Sequence, residues 1–355
     1  MNVKPSTVVV ALSGGVDSAL AAALLKKRGW EVCGLHFLLP VPPAKRKAKM
    51  ASAGRIAGHL QIPISFLDLE ETFNKRVIDP FIDSYLSGLT PNPCVWCNQV
   101  VKFDRLLDYT RRMEIEHIAT GHYAEIRRGE GSRVELWRGK DKTKEQTYFL
   151  HRLNAEHLSK IVFPLGNMLK KEARHLAADL GLPDASEPES QEICFVPEND
   201  YRLFLELRRG YEIARRGEII DREGQKLGEH SGVYRYTIGQ RHGLGIASHR
   251  PYYVMEIRPY ENQIVVGRRE ELLSTHVEAH GFNWLMGGPP QKGMAALAQI
   301  RYRHKPAPGR LEVISPKEAR FRFDEPQWAI TPGQALVCYE GDKLLGGGWI
   351  RKTEG

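Results

Sequence analysis

The sequence predicts an α/β fold: a parallel-sheet domain followed by a small central β domain and a C-terminal β-barrel-like domain. Three observations predict it. The stretch Val8-Val9-Val10-Ala11-Leu12-Ser13-Gly14-Gly15-Val16-Asp17-Ser18 runs from an apolar β-branched strand through a glycine turn into an Ala/Leu-rich helix. Strand and helix patterns then alternate to about residue 207, the rhythm of a parallel sheet covered on both faces. Past Gly210 short β-like runs separated by Gly, Asp and Asn take over. Domains are therefore expected at 1–207, 208–274 and 275–355, the last an all-β stretch ending at Ile350.

Taken in order, the glycine turn comes first. Ser13-Gly14-Gly15 makes a bend that residues with a Cβ resist. A strand, a glycine turn and a helix start present free backbone N–H groups to an anion. The helix dipole and the hydroxyls of Ser13 and Ser18 suit phosphate oxygens. No Gly-Lys-Ser/Thr follows, so this is not the Walker pattern. Residues 31–39 read as a second strand, with Cys33 as a small buried hydrophobe. A helical pattern to Leu60 opens on Lys45, Arg46, Lys47 and Lys49, either a solvated face or a phosphate-contacting patch. A strand at 64–69 and a helix at 72–87 follow. Thr90-Pro91-Asn92-Pro93-Cys94-Val95-Trp96-Cys97-Asn98 reads as a loop because of its two prolines. A helix at 103–113 and a strand at 117–120 lead to Gly121-His122-Tyr123, and ligands of such a sheet bind at the carboxyl ends of its strands. Helices at 154–159 and 170–180, a polar acidic loop at 183–191 and a helix at 201–209 complete the domain. Arg301, Arg303 and Lys305 read as a strand with three cations on one face, suited to phosphates or simply a solvated edge. Cys338 lies in an apolar strand pattern and reads as core.

Composition narrows the class. With 355 residues the chain holds two or three cores. The net charge of +8 points to an acidic partner, nucleic acid above all. No stretch approaches a membrane span and residues 1–7 lack an apolar signal core, so a cytoplasmic protein with no membrane partner is expected. Five cysteines, an odd number, argue against a disulfide framework. Cys94 and Cys97 form a C-x-x-C and Cys194 follows about a hundred residues later. A structural zinc site wants a fourth ligand that no second C-x-x-C supplies, and a thioredoxin-like pair would sit at the end of the first strand.

Ser-Gly-Gly-Val-Asp-Ser at 13–18 resembles the PP-loop of ATP pyrophosphatases. The resemblance implies an adenine nucleotide alpha hydrolase-like domain that grips the pyrophosphate of ATP and adenylates an oxygen of its substrate. Further motifs resemble the tRNA-specific 2-thiouridylases, the MnmA/TrmU family. They are 90–103 (Thr-Pro-Asn-Pro…Cys-Asn…Lys-Phe), 119–124 (Ala-Thr-Gly-His-Tyr-Ala), 146–150 (Gln-Thr-Tyr-Phe-Leu) and 163–166 (Phe-Pro-Leu-Gly). The series continues with 190–195 (Ser-Gln-Glu-Ile-Cys-Phe), 236–241 (Tyr-Thr-Ile-Gly-Gln-Arg), 243–246, 301–303 and 346–348, nearly the whole chain in the family's order.

That resemblance implies the site. ATP, with Mg²⁺ offsetting its charge, would be held by Ala11, Leu12, Ser13, Gly14, Gly15, Val16, Asp17 and Ser18, by the backbone at Phe37, and by Gly121. The target uridine would meet Asn92, Pro93 and Cys94. Contacts to tRNA would come from His122, Lys144, Glu145, Gln146, Arg301, Tyr302 and Gln334. Asp17, Cys97 and Cys194 would be catalytic. Adenylation at the C2 oxygen makes a poor leaving group into AMP, and a persulfide on Cys194, loaded by a sulfur-donor protein, supplies the sulfur; Cys97 would either attack the persulfide to release sulfide or form a disulfide with Cys194 as sulfur leaves. Either route wants partly exposed thiols with lowered pKa. Three departures stand out. Cys94 replaces an Asp of many members, Glu145 replaces an Asp, and 39–49 is shorter and more basic than the usual acidic insertion. Cys94, Cys97 and Cys194 could instead ligate a [4Fe–4S] cluster in a non-redox thiolation. A small-molecule PP-loop synthetase or amidotransferase, or a tRNA-binding module with a degenerate nucleotide domain, are the rival functions. Neither needs all these features together.

Overall fold

The computed structural model describes residues 6–129, 131, 133–183 and 193–352. The acidic loop expected at 183–191 therefore lies, from 184 on, outside the described residues, as do Ser190, Gln191 and Glu192 of the cysteine motif. By contact the chain divides into two units, residues 1–77, 94–195 and 342–344, and residues 78–93, 196–341 and 345–355.

The first unit is built on β1 (Thr7–Ala11), β2 (Glu31–Leu38), β3 (Ile64–Asp68) and β4 (His117–Ala119), with β5 (Ala124–Arg128), β6 (Val134–Arg138) and β7 (Ile161–Val162) following. Its parallel sheet has the order β3-β2-β1-β4-β7. The strand β1 is central, and Val8, Val9 and Val10 are fully buried because both neighbours and the covering helices exclude water. The helix Val16–Lys27 packs Ala19, Leu20, Ala22 and Leu25 into the same core. The chain winds from β1 outward to β2 and β3, then returns to the far side of β1 as β4. That reversal opens a crevice at the carboxyl ends of β1 and β4. Leu12–Ser18 and Thr120–Tyr123 both begin there.

Three expectations for residues up to 138 need correction. Cys94 and Cys97 do not sit in a proline-rich loop. Pro93–Trp96 is a short α-helix, Cys97–Phe103 is π-helical and Asp104–Arg112 continues as α-helix. Proline at the first helical position needs no N–H partner, so Pro93 starts the helix that it was expected to exclude. The second correction concerns β5 and β6, an antiparallel hairpin that interrupts the βα rhythm and whose alternation went unread. The helix expected at 72–87 also exists only in pieces, Glu70–Phe73, π-helical Asn74–Ile78 and Asp79–Leu86.

The second unit holds two β assemblies. Strands β8 (Gly217–Ile220), β9 (Lys226–His230), β10 (Tyr253–Arg258) and β11 (Gln263–Gly267) form a sheet ordered β10-β11-β8-β9 over Ile219, Val254, Ile264 and Val266. Strands β12 (Leu273–Trp284), β13 (Met294–Gln299), β14 (Ala307–Ser315), β15 (Glu318–Trp328), β16 (Ala335–Glu340) and β17 (Lys343–Ile350) run in the order β12-β15-β14-β13-β16-β17. Pairing of β12 with β17 closes them into a barrel, which removes the exposed edge. Leu311, Phe321, Leu336 and Cys338 fill it, so Cys338 is core as expected. Arg301, Arg303 and Lys305 are not on a strand. β13 ends at Gln299, whose side-chain amide donates to the carbonyls of Arg301 (3.1 Å) and Tyr302 (2.6 Å) and folds the segment into a turn.

Candidate active site

The glycine turn is held from within. The Ser18 hydroxyl accepts from the Ser13 N–H at 3.1 Å and donates to the Gly15 carbonyl at 2.9 Å. Gly14 has φ +79°, and a Cβ there would meet the Lys49 carbonyl oxygen at 3.0 Å. Ser52 ties the same residue down by donating to its carbonyl at 2.8 Å. Gly15 ends the turn as the N-cap of Val16–Lys27, and no side chain caps that helix. Its first amides therefore stay open at the crevice, the condition for gripping an anion. From the far side Gly121 closes in. A Cβ on it would fall 2.7 Å from the Asp17 carbonyl carbon and 2.8 Å from the Ser18 nitrogen, so only glycine fits. Phe37 is half-buried at the end of β2, the edge of the same crevice.

Asp17 is engaged by side chains that the sequence did not single out. Lys170 Nζ donates to both carboxylate oxygens at 2.7 Å, and the Tyr123 hydroxyl donates to Oδ1 at 2.9 Å. Lys170 is buried, while Asp17 is about a third exposed. Gln146 braces Tyr123, its Oε1 accepting from the Tyr123 N–H at 3.0 Å. Glu145, expected at a tRNA contact, is buried and accepts from the N–H and hydroxyl of Thr147 at 3.1 and 2.5 Å. Lys144 is half-buried beside it.

The thiols gather around one cation. Lys102, on the same π-helical segment as Cys97, acts electrostatically on Cys94, Cys97, Cys194 and His122 alike. It has no ion pair among the described residues. The two thiols Cys94 and Cys97 also feel Cys194, which puts the three cysteines within electrostatic range of one another. Lys45, from the basic helix start, donates to the Cys194 carbonyl at 3.1 Å. The expected lowering of the thiol pKa values is not found. Burial pushes Cys97 up to about 12 and the protein packed around Cys94 pushes it up to about 11, both outweighing Lys102. Cys194 is raised as well, for the same first cause, though Lys102 and Lys45 both oppose it. Cys94 and Cys194 are exposed residues, whereas Cys97 is buried. His122 is buried too. Its Nδ1 bonds the Thr120 hydroxyl at 2.7 Å, and burial followed by the Lys102 charge holds the ring well below the ordinary histidine range. It is a neutral, enclosed ring between Phe103 and Phe163.

The donor set does not fit an iron–sulfur cluster. Among the described residues no three Cys, His, Asp or Glu side chains converge to hold a metal. No step is derived through one. The remaining expected contacts belong to the second unit. Gln334 donates to the Thr90 carbonyl at 2.9 Å and Thr90 N–H to the Pro332 carbonyl at 2.9 Å, which pins the segment leading to half-buried Asn92 and buried Pro93. Arg301 and Tyr302 stand on the turn after β13.

Known proteins resemble this chain along nearly its whole length. The profile of the tRNA methyl transferase HUP domain matches residues 6–198, that of the tRNA methyl transferase PRC-barrel domain 205–268, and that of the aminomethyltransferase beta-barrel domain 274–350. The tRNA-specific 2-thiouridylase MnmA of Geobacter metallireducens is 46% identical over 363 residues, covering 98% of each chain. That of Acidithiobacillus ferrooxidans is 44% identical over 347 residues, again covering 98% of each, and that of Syntrophotalea carbinolica is 44% identical, covering 99% of this chain and 100% of the other.

The chain belongs to the tRNA-specific 2-thiouridylase family.

Family membership along the full length removes the small-molecule synthetase and the degenerate module as readings. Within this 2-thiouridylase fold, three site residues escaped the sequence: Lys102, Lys170 and Tyr123. Lys102 lies inside the 90–103 motif and Tyr123 inside the 119–124 motif. Lys170 offered only its place at the head of a helix, 153 residues from Asp17.

Proposed function

We propose that this chain replaces the C2 oxygen of a tRNA uridine by sulfur in an ATP-dependent reaction, the wobble uridine being the target. The observation that carries the reading is a link from nucleotide turn to thiols, by packing at Gly121 and by the charge of Lys102. Gly121 lies against Asp17 and Ser18, His122 follows it, and Lys102 acts on His122 and on all three cysteines. Two of the matched profiles are labelled for methyl transfer. A cluster of thiols beside a nucleotide turn suits sulfur transfer to an activated carbon.

The chemistry divides among the chain's own groups. The open amides at Val16–Ser18 orient the ATP phosphates while the uridine O2 attacks the α-phosphorus and pyrophosphate leaves. Mg²⁺ would be carried in by the phosphate oxygens, since Asp17 is already bonded to Lys170 and Tyr123. Lys170 stands where it can exchange Asp17 for a phosphate oxygen. Exposed Cys194, with two lysines near it, carries the persulfide loaded by a donor protein. The terminal sulfur attacks C2 and AMP departs. Cys97 then attacks the Cys194 sulfur, leaving 2-thiouridine and a Cys97–Cys194 disulfide that an external thiol reduces. Burial keeps Cys97 protonated until that step, so it does not discharge the persulfide early. The division into domains at 1–207, 208–274 and 275–355 belongs to the same proposal, with catalysis in the first and tRNA contacts in the last. No described helix is long and apolar enough to cross a membrane.

The test is reconstitution with unmodified tRNA, ATP, Mg²⁺ and a persulfide donor, followed by mass analysis of the digested nucleosides and quantification of AMP and pyrophosphate. A uridine with one oxygen replaced by sulfur, formed in step with AMP, is the expected result. AMP formation that does not depend on tRNA, with no thiolated nucleoside, would overturn the reading.

A further inference from the structure

The second unit contains a cleft of about 680 Å³ that neither the nucleotide turn nor the thiols use. Arg202, Arg235, Arg241, Arg301, His242 and Trp328 line it, and among the described residues no Asp or Glu does. Four guanidinium groups in this lining give the cleft a positive field, which low-dielectric walls focus, even though Glu206 offsets part of the Arg235 charge. The walls are braced. Buried Glu206 accepts from the Arg235 guanidinium and from the Tyr234 hydroxyl, so Arg235 is anchored from behind. Arg202 Nε donates to the Arg235 carbonyl at 3.1 Å, and Arg301 donates to the Trp328 carbonyl at 3.2 Å. Gly239, at φ +84°, lets its loop lie on the indole, where a Cβ would come 3.0 Å from the ring. Two donors wait unused. The Trp328 indole N–H has no acceptor among the described residues, and exposed Arg241 has no carboxylate partner among them.

The size of the cleft bounds its occupant. Water takes about 30 Å³, so the space equals some twenty waters. That is far more than one phosphate fills and fits a phosphodiester with its sugar and a stacked base. A cationic groove with an aromatic wall is how proteins track an RNA backbone. We propose that this cleft binds a backbone segment of the RNA substrate, with Arg202, Arg235 and Arg241 as phosphate ligands beyond Arg301, and Trp328 as its aromatic wall. The proposal rests on the tRNA reading above.

Binding of full-length unmodified tRNA to the whole chain is measured by anisotropy over a salt series, for the wild type, Arg241→Glu, Arg202→Ala and Arg241→Lys. Arg235 is left intact because its loss strands buried Glu206. We expect Arg241→Glu to weaken binding at least tenfold and to flatten the log–log salt dependence by about 0.9 for each phosphate that the protein no longer neutralises. Arg202→Ala should act in the same direction, and Arg241→Lys should recover most of the affinity. In turnover the effect should fall on KM for tRNA with kcat retained. Unchanged tRNA affinity and salt slope in Arg241→Glu, with wild-type thermal stability, overturns the proposal. So does a variant that loses binding of AMP or inorganic phosphate yet keeps tRNA, since the cleft then serves a free anion. A wild type that neither binds nor thiolates tRNA defeats the underlying tRNA reading instead, which separates the two failures.

Discussion

Cys97 offers the sharpest test of the electrostatics. Its thiol is buried and raised from 9.0 to about 12. At pH 8 an unshifted thiol is about one-tenth ionised, whereas one at about 12 is ionised in about one molecule in ten thousand. The thiolate pool therefore falls about a thousandfold, a cost of about 4 kcal/mol at about 1.36 kcal/mol per unit. Cys94, at about 11, loses about a hundredfold by the same arithmetic. Cys194 is shifted the same way but is exposed and has Lys45 and Lys102 opposing the shift. Reduced protein treated anaerobically with iodoacetamide from pH 7 to 10, and mapped by peptide mass analysis, should alkylate Cys194 first and Cys97 last among the three site thiols. The linkage has a definite sign. A thiol raised in the fold keeps its proton where the unfolded chain has lost it, so stability is fully present below about pH 9 and declines toward pH 12. Cys97→Ser should flatten that alkaline decline. Alkylation of Cys97 as fast as Cys194, with an apparent pKa below 9, would refute the burial argument.

Four further outcomes follow from the site. Lys102→Met should slow sulfur transfer at least tenfold while AMP formation persists, and Lys102→Arg should restore much of it; equal rates in all three would remove Lys102 from the reaction. Gly121→Ala must displace backbone 2.7 Å away, at about 1–3 kcal/mol, so ATP-dependent pyrophosphate release should collapse in a protein that still melts cooperatively. Lys170→Met leaves the Asp17 carboxylate without its cation at a cost of about 2 kcal/mol, and should lose AMP formation far more than tRNA affinity. Cys194→Ser should abolish thiolation yet leave pyrophosphate release measurable; retained thiolation would end the sulfur-carrier role.

The amino-acid sequence alone determined whatever depends on neighbours in the chain. The β-branched run before Ser13 made a buried strand, Gly14 took the positive φ that its bend requires, and Tyr201–Arg209 formed the helix expected there. It also carried the family, because motifs in order survive without coordinates. Tertiary structure decided what depends on distant residues. It brought Lys170 to Asp17 and set Lys102 among thiols from separate segments. It raised the thiols that chemistry alone expects lowered, because burial is a property of surroundings rather than of sequence position. It let Pro93 begin a helix, and it bent Arg301 into a turn through the Gln299 amide. Local propensity acts over a few residues, whereas charge, burial and loop closure act through space, and only the folded chain says which groups share that space.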